Sequence, residues 1–180
     1  YLATVLERLP GCVGLAMDVS RYAARRAAKA HSRVVSIVAD SMSRLPMADD
    51  CASVVLNLFA PRNAPEFRRI LPSDGVLIVV TPNPEHLGEL RSRIELVDIH
   101  PDKEERLATA IDPLFEREPA LVQTWTMQLS HEDVRRVVSM GPSAFHLDET
   151  ALAAQVASLP EPFSVTASVS LHFTRPRPGD

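Results

Sequence analysis

Short apolar runs alternate with helically spaced ones along the first half of this chain. Leu2, Val5, Leu6 and Leu9 stand at helical intervals, and Pro10-Gly11 ends that pattern. Val13 to Met17 then reads as a buried strand of a parallel sheet, closed by Asp18. An Ala/Arg-rich helix follows from Arg21 to Ala30, with Ser20 placed to cap it. Val34 to Ala39 is a further apolar run, ending on Asp40-Ser41. After a loop around Leu45-Pro46-Met47, Ser53 to Leu58 reads as strand and Ala64 to Leu71 as helix. Pro72-Ser73-Asp74-Gly75 turns the chain into Val76 to Val80, its most hydrophobic strand. Strands alternating with crossover segments predict a doubly wound α/β sheet.

The second half is less regular. Thr81 to Leu87 carries two prolines and is expected to leave the sheet as a loop, with a helix from about Glu85. Asp98 to Pro119 is charged, proline-punctuated and sparse in aliphatic residues, and reads as a mobile excursion over the substrate side. Leu121 to Leu129 reads as strand. Ser130 to Asp133 opens a helix in capping-box fashion, with Asp in place of Glu. Met140 to Phe145 reads as loop and Glu149 to Ala157 as helix. From Phe163 to Phe173, apolar residues alternate with Ser, Thr and His, the pattern of a half-buried strand. Residues 1–174 are expected to form one domain and 175–180 a frayed tail.

Composition narrows the class. With 46% hydrophobic and 23% charged residues in 180 positions, the chain is globular and long enough for a substantial core. No apolar run is long enough to span a membrane, and no membrane partner is expected. The two cysteines, Cys12 and Cys51, stand apart among apolar neighbours and predict buried, reduced thiols of a cytoplasmic protein. Neither a zinc spacing nor a Ser/His/Asp or Cys/His set stands out, so no metal is expected in this chain. The net charge of −4 lacks the basic footprint of a nucleic-acid binder.

The candidate chemistry lies at strand ends, where an open α/β sheet builds its ligand crevice. Asp18 suits a clamp on a ribose diol, or an ordinary helix cap. Asp40 ends a strand some twenty residues later and suits an exocyclic amine, or a turn. Asn57-Leu58-Phe59-Ala60-Pro61 offers an amide, a ring and a proline to a planar substrate, although Leu58 and Phe59 also suit a core. His86 suits a carboxylate donor or a general base, and equally a helix start. None of the six glycines forms a Gly-x-Gly loop. A nucleotide site needs one after the first strand, so a strand and its Gly-rich loop are expected upstream of Tyr1.

Five stretches carry a family resemblance: Gly14 to Ser20, Arg44-Leu45-Pro46, Phe59-Ala60-Pro61, Thr81 to Leu90, and Met140 to Phe145. Through them the chain resembles the class I S-adenosylmethionine-dependent methyltransferases. More narrowly, it resembles the 23S ribosomal RNA guanine-N1 methyltransferases, the group of the tylosin- and mycinamicin-resistance enzymes of actinomycetes. The Thr-Pro-x-Pro-x-His-Leu-x-Glu-Leu run is the specific piece.

The resemblance implies a Rossmann-like fold with a mixed, mostly parallel sheet and an antiparallel last strand. It implies S-adenosyl-L-methionine as cofactor, with Asp18 at the ribose, Ala39, Asp40 and Ser41 at the adenine, His86 at the methionine end, Val19 also in the cofactor site, and Asn57 there and at the edge of the guanine pocket. Phe59 and Pro61, with Pro142 and Phe145 of the later loop, would line the guanine pocket. The implied partner is a 23S rRNA hairpin, gripped also by an N-terminal zinc module that this sequence lacks. A macrolide-resistance role and a homodimer are carried as further expectations. The competing readings are a small-molecule methyltransferase and a catalytically silent module of the same fold.

Overall fold

In this computed structural model, residues 1–94, 103–140 and 148–178 are described. The order is α1 (Leu2–Arg8), β1 (Gly14–Asp18), α2 (Arg21–Ala27), β2 (Val34–Val38), β3 (Val54–Leu58), α3 (Ala64–Ile70) and β4 (Val76–Pro82). It continues through α4 (Gly88–Arg91), α5 (Lys103–Ile111), β5 (Phe115–Arg117), β6 (Leu121–Leu129), α6 (His131–Met140), α7 (Glu149–Ala157) and β7 (Phe163–Pro176). β1 and β2 pair in parallel as a two-stranded sheet. β3 and β4 pair in parallel within a second sheet, where β7 runs antiparallel against β4. β5 and β6 both run antiparallel to β7, at its C-terminal end and along its first nine residues respectively. The expected mixed sheet with an antiparallel last strand is thus present, in two pieces.

Helices cover both faces of the larger sheet. On one face, Leu77 and Val79 of β4 pack with Phe67 and Ile70 of α3, Leu107 and Ile111 of α5, and Phe115. On the other, Phe163 and Val165 of β7 pack with Leu90, Leu129, Val134, Val138 and Val156. The capping box forms as read: Ser130 Oγ donates to Asp133 Oδ2 at 2.7 Å, and Asp133 N donates to Ser130 Oγ at 3.2 Å.

Several expectations are corrected. β4 runs on through Thr81 and Pro82, which pair with Ser170 and Val169. Pro82 is tolerated because Asn83 N makes the next bond to β7, at 3.0 Å to Ser168 O. The missing donor therefore faces the side where β3 has already ended. The stretch read as an excursion holds α5 and β5, with Leu107, Ile111 and Phe115 fully buried; these three sit at four-residue spacing. Residues 95–102 lie outside the described ones. The tail does not fray at Arg175, since Arg175 and Pro176 pair with Glu116 and Phe115, and Arg177 N donates to Leu114 O at 2.9 Å.

Burial departs from the pattern as well. β1 and β2 are not deeply buried: Leu15 is 38% exposed, Val35 61% and Val38 58%. Two strands on their own cannot cover both of their faces. The cysteines are free and exposed, because both lie in connections rather than in strands. β7 is buried on both faces in its second half, so Ser168, Ser170, His172 and Thr174 are interior residues and not a solvent stripe.

Candidate functional site

Asp18 and Asp40 stand at the carboxyl ends of the smaller sheet, and both are exposed. Asp18 Oδ1 accepts from Ser20 N at 2.7 Å, while Ser20 Oγ accepts from Ala23 N and caps α2. Asp40 Oδ1 accepts from Met42 N at 2.9 Å and Oδ2 from Ser43 Oγ at 3.2 Å. Both acids therefore shape their own turns. A carboxylate offers about four lone-pair sites, so each keeps acceptor capacity for a ligand. Val19 and Ser41 flank them, Val19 69% exposed and Ser41 partly buried.

The carboxyl end of β3 carries a tightly held turn. Asn57 is 5% exposed, and its Nδ2 donates to Pro61 O at 2.8 Å. That bond fixes the amide orientation and leaves Oδ1 buried without a partner among the described residues. Phe59 sits at φ +53°, a left-handed conformation that costs a non-glycine residue strain. Its amide donates to Val80 O at 3.2 Å, and its half-exposed ring stacks on His86 with centroids 5.8 Å apart. Asn63 Nδ2 donates to the carbonyls of Ser41 and Ser43, each at 3.0 Å. The ends of β2 and β3 are thereby joined across the two sheets. Pro61 is exposed on the same turn.

The run after β4 is built to grip β7. Asn83 Nδ2 donates to Ser168 Oγ at 3.0 Å, and Asn83 Oδ1 accepts from Ser170 Oγ at 2.7 Å. Thr124 Oγ1 joins Ser168 Oγ at 2.9 Å. His86 Nδ1 accepts from Ser168 N at 3.2 Å, so that ring nitrogen carries no proton. Leu87, at φ +55°, donates its amide to Thr166 O at 2.8 Å. Glu89 then accepts from Thr166 N and Oγ1 at 2.9 and 2.6 Å, which holds its carboxyl below the usual carboxylate range. The interior hydroxyls of β7 are the residues that sequence reasoning missed. Their alternation with apolar neighbours is indistinguishable from a solvated face until the helices are placed.

Arg44-Leu45-Pro46 is tied to α3. Glu66 accepts from Leu45 N at 2.7 Å, and Arg69 reaches Glu66, Asp49 and the carbonyls of Leu45 and Met47. The Arg69 hydrogen bonds, with that of Leu45 N, hold the Glu66 carboxyl down at about 2. Leu45 is thereby pinned in the core, 3% exposed.

The structure thus brings Asn57, Phe59, Pro61 and His86 to adjacent strand ends, with Ala39, Asp40 and Ser41 linked to them through Asn63. Pro142 and Phe145 lie outside the described residues. Among the described residues, no group of three or more His, Cys, Asp or Glu side chains is placed to hold a metal ion. Nor is any helix long and apolar enough to cross a membrane.

Similar proteins bear on this site. No family model matches the chain. Among solved structures, the MccD protein superposes with a TM-score of 0.57 at 14% identity, covering 97% of this chain and 84% of that one. A protein of Bacillus halodurans titled "putative methyltransferase" gives 0.53 at 17% identity, covering 89% and 81%. These likenesses establish the Rossmann-like fold of the class I methyltransferases. A Streptomyces fradiae protein named 23S rRNA (guanine(748)-N(1))-methyltransferase is 46% identical over 178 residues, 99% of this chain and 64% of its own length. A Micromonospora griseorubida protein named "Putative 23S rRNA (guanine-N(1)-)-methyltransferase" is 48% identical over 176 residues, 98% of this chain and 60% of its own length. The chain therefore matches two curated guanine-N1 methyltransferases over nearly its whole extent, and spans somewhat less than two thirds of either.

Proposed function

We propose that this chain is the cofactor- and guanine-binding part of an enzyme that methylates N1 of a guanine in 23S rRNA. The observation that carries the reading is the 46–48% identity to two relatives so named, over 98–99% of this chain. The site's chemistry supports it. Asp18 and Asp40 are exposed acceptors at successive strand ends, and Asn57 Oδ1 is a buried acceptor still lacking a donor. Those groups fit S-adenosyl-L-methionine and a purine, both of which bring hydroxyl, amine or imino donors.

In this reading Asp18, with Val19, receives the cofactor ribose, and Ala39, Asp40 and Ser41 receive its adenine. His86 turns its remaining ring edge toward the methionine end, and Asn57 offers Oδ1 inside the crevice. When bound, the cofactor supplies an electrophilic methyl group on a sulfonium centre. Phe59 and Pro61, with Pro142 and Phe145, clasp the guanine; the Phe59 ring is set for this by its strained backbone and by the stack on His86. His86 Nδ1 is engaged by Ser168 N, so the N1 proton is not collected there. The separation of β1–β2 from β3–β4 supports a further strand and Gly-rich loop completing the sheet from elsewhere in the protein, and an RNA-gripping module outside this chain is part of the same proposal. A cytoplasmic setting, a hairpin target, macrolide resistance and a homodimer belong to the same proposal.

The test is methyl transfer by the complete gene product from tritiated S-adenosylmethionine to unmodified 23S RNA, mapped by reverse-transcription arrest. A stop at one guanine that disappears with Asp18→Ala supports both activity and site. Cofactor binding without incorporation into RNA would shift the acceptor to a small molecule.

A further inference from the structure

Arg62 follows directly on the Asn57–Pro61 turn. It is partly buried, its Nε is fully buried, and Nε has no hydrogen-bond partner among the described residues. No carboxylate of the described residues pairs with it, which sets it apart. Arg69 and Arg117, equally part-buried, each pair with two acids. Arg33, Arg68 and Arg91 each donate to backbone carbonyls. A guanidinium does not shed its proton, so Arg62 holds a partly desolvated positive charge that the described residues leave uncompensated.

Its placement is constrained on both sides. Asn57 fixes the carbonyl of Pro61 before it, and Asn63 is bonded to Ser41 and Ser43 after it. Arg62 therefore stands in the connection between the carboxyl end of β3 and the start of α3. The chain's net charge of −4 gives no general attraction for a polyanion, so any anion held here is held by a local cation.

We propose that Arg62 binds a backbone phosphate of the RNA beside the target guanine through its two terminal guanidinium nitrogens. The planar guanidinium fork and its weak hydration suit this partner. The inference rests on the RNA-methylating function above. A carboxylate, such as that of the cofactor's methionine end, is the other oxyanion source within the same crevice.

The experiment compares wild type, Arg62→Gln and Arg62→Lys of the complete gene product. It measures KM for 23S RNA at several salt concentrations and cofactor Kd by calorimetry. Arg62→Gln is expected to raise the RNA KM about tenfold, as for loss of a charged hydrogen-bonded contact. It should also flatten the log–log salt dependence by about one unit, with cofactor Kd unchanged. Arg62→Lys is expected to restore the salt slope while leaving KM raised, because it keeps the charge without the fork. That pair of readouts still decides the matter if the Gln variant fails to fold. An unchanged RNA KM and salt slope would overturn the assignment, and a change in cofactor Kd alone would give the site to a carboxylate instead. A wild-type protein that methylates no RNA would remove the function itself; an active wild type with an indistinguishable Arg62→Gln removes only this inference.

Discussion

The rings of Phe59 and His86 stack with centroids 5.8 Å apart and planes inclined by 28°, joining the ends of β3 and β4. The same histidine accepts the amide hydrogen of Ser168, a residue only 3% exposed. His86→Ala therefore removes a platform from Phe59 and orphans a buried N–H, which costs about 1–3 kcal/mol. The expected outcome is a measurable fall in Tm together with lost methyl transfer. His86→Asn, which can present an acceptor to Ser168, should recover more stability than activity. Equal recovery of both would make the residue purely structural.

Phe59 holds a left-handed backbone with half of its side chain in solvent. Asn accepts that conformation more readily than an aromatic residue. Phe59→Asn should thus unfold no earlier than wild type while methyl transfer falls steeply. A large drop in Tm would show that the ring is held for packing.

Asp18 both shapes the turn at Ser20 and stands free to accept from a ligand. Asp18→Ala should weaken cofactor binding by about 1–3 kcal/mol, the range for a hydrogen bond to a charged acceptor. Asp18→Asn keeps an acceptor for Ser20 and should restore thermal stability more fully than cofactor affinity. Calorimetric titration beside thermal unfolding separates the two effects, and an unaltered affinity in both variants would take Asp18 out of the site.

Glu66 ties Leu45 and Arg69 together, and its carboxyl is held from 4.5 down to about 2. A depressed carboxylate contributes stability that is complete above its unfolded value and is lost as pH falls through the folded one. The contribution of this staple should be intact above about pH 5 and fade between there and about pH 2. Denaturant midpoints of wild type and Glu66→Gln are expected to converge across that window. Parallel curves would dissociate Glu66 from acid lability.

Leu107 is completely buried against α3, β4 and β5. Leu107→Ala should cost about 2–5 kcal/mol, as for other leucines truncated in a core. Denaturation of the variant checks this. A loss below about 1 kcal/mol would fit a segment loosely laid on the surface and not a core helix.

The pattern of apolar runs was sufficient to place β1 to β4, β6, α2, α3 and α7, because each is a local signal closed by a proline, glycine or capping residue. Strand ends are local too, so Asp18, Asp40 and Asn57 were legible as residues at or beside strand ends. α5 was not legible, because Leu107, Ile111 and Phe115 are spread four apart among charges and are apolar enough only once a sheet lies beneath them. The burial of Ser168, Ser170, His172 and Thr174 was equally hidden. A polar residue alternating with apolar ones faces water in an uncovered sheet and faces the core in a covered one. The sequence by itself thus determined the order of elements and which side chains stand at strand ends, since backbone periodicity and turn chemistry act over a few residues. Only the tertiary structure decided that Asn83, His86 and Glu89 grip β7, that Phe59 meets His86, and that Arg62 is left without an acid among the described residues. Those relations join residues far apart in the chain, and no local pattern records a partner that distant.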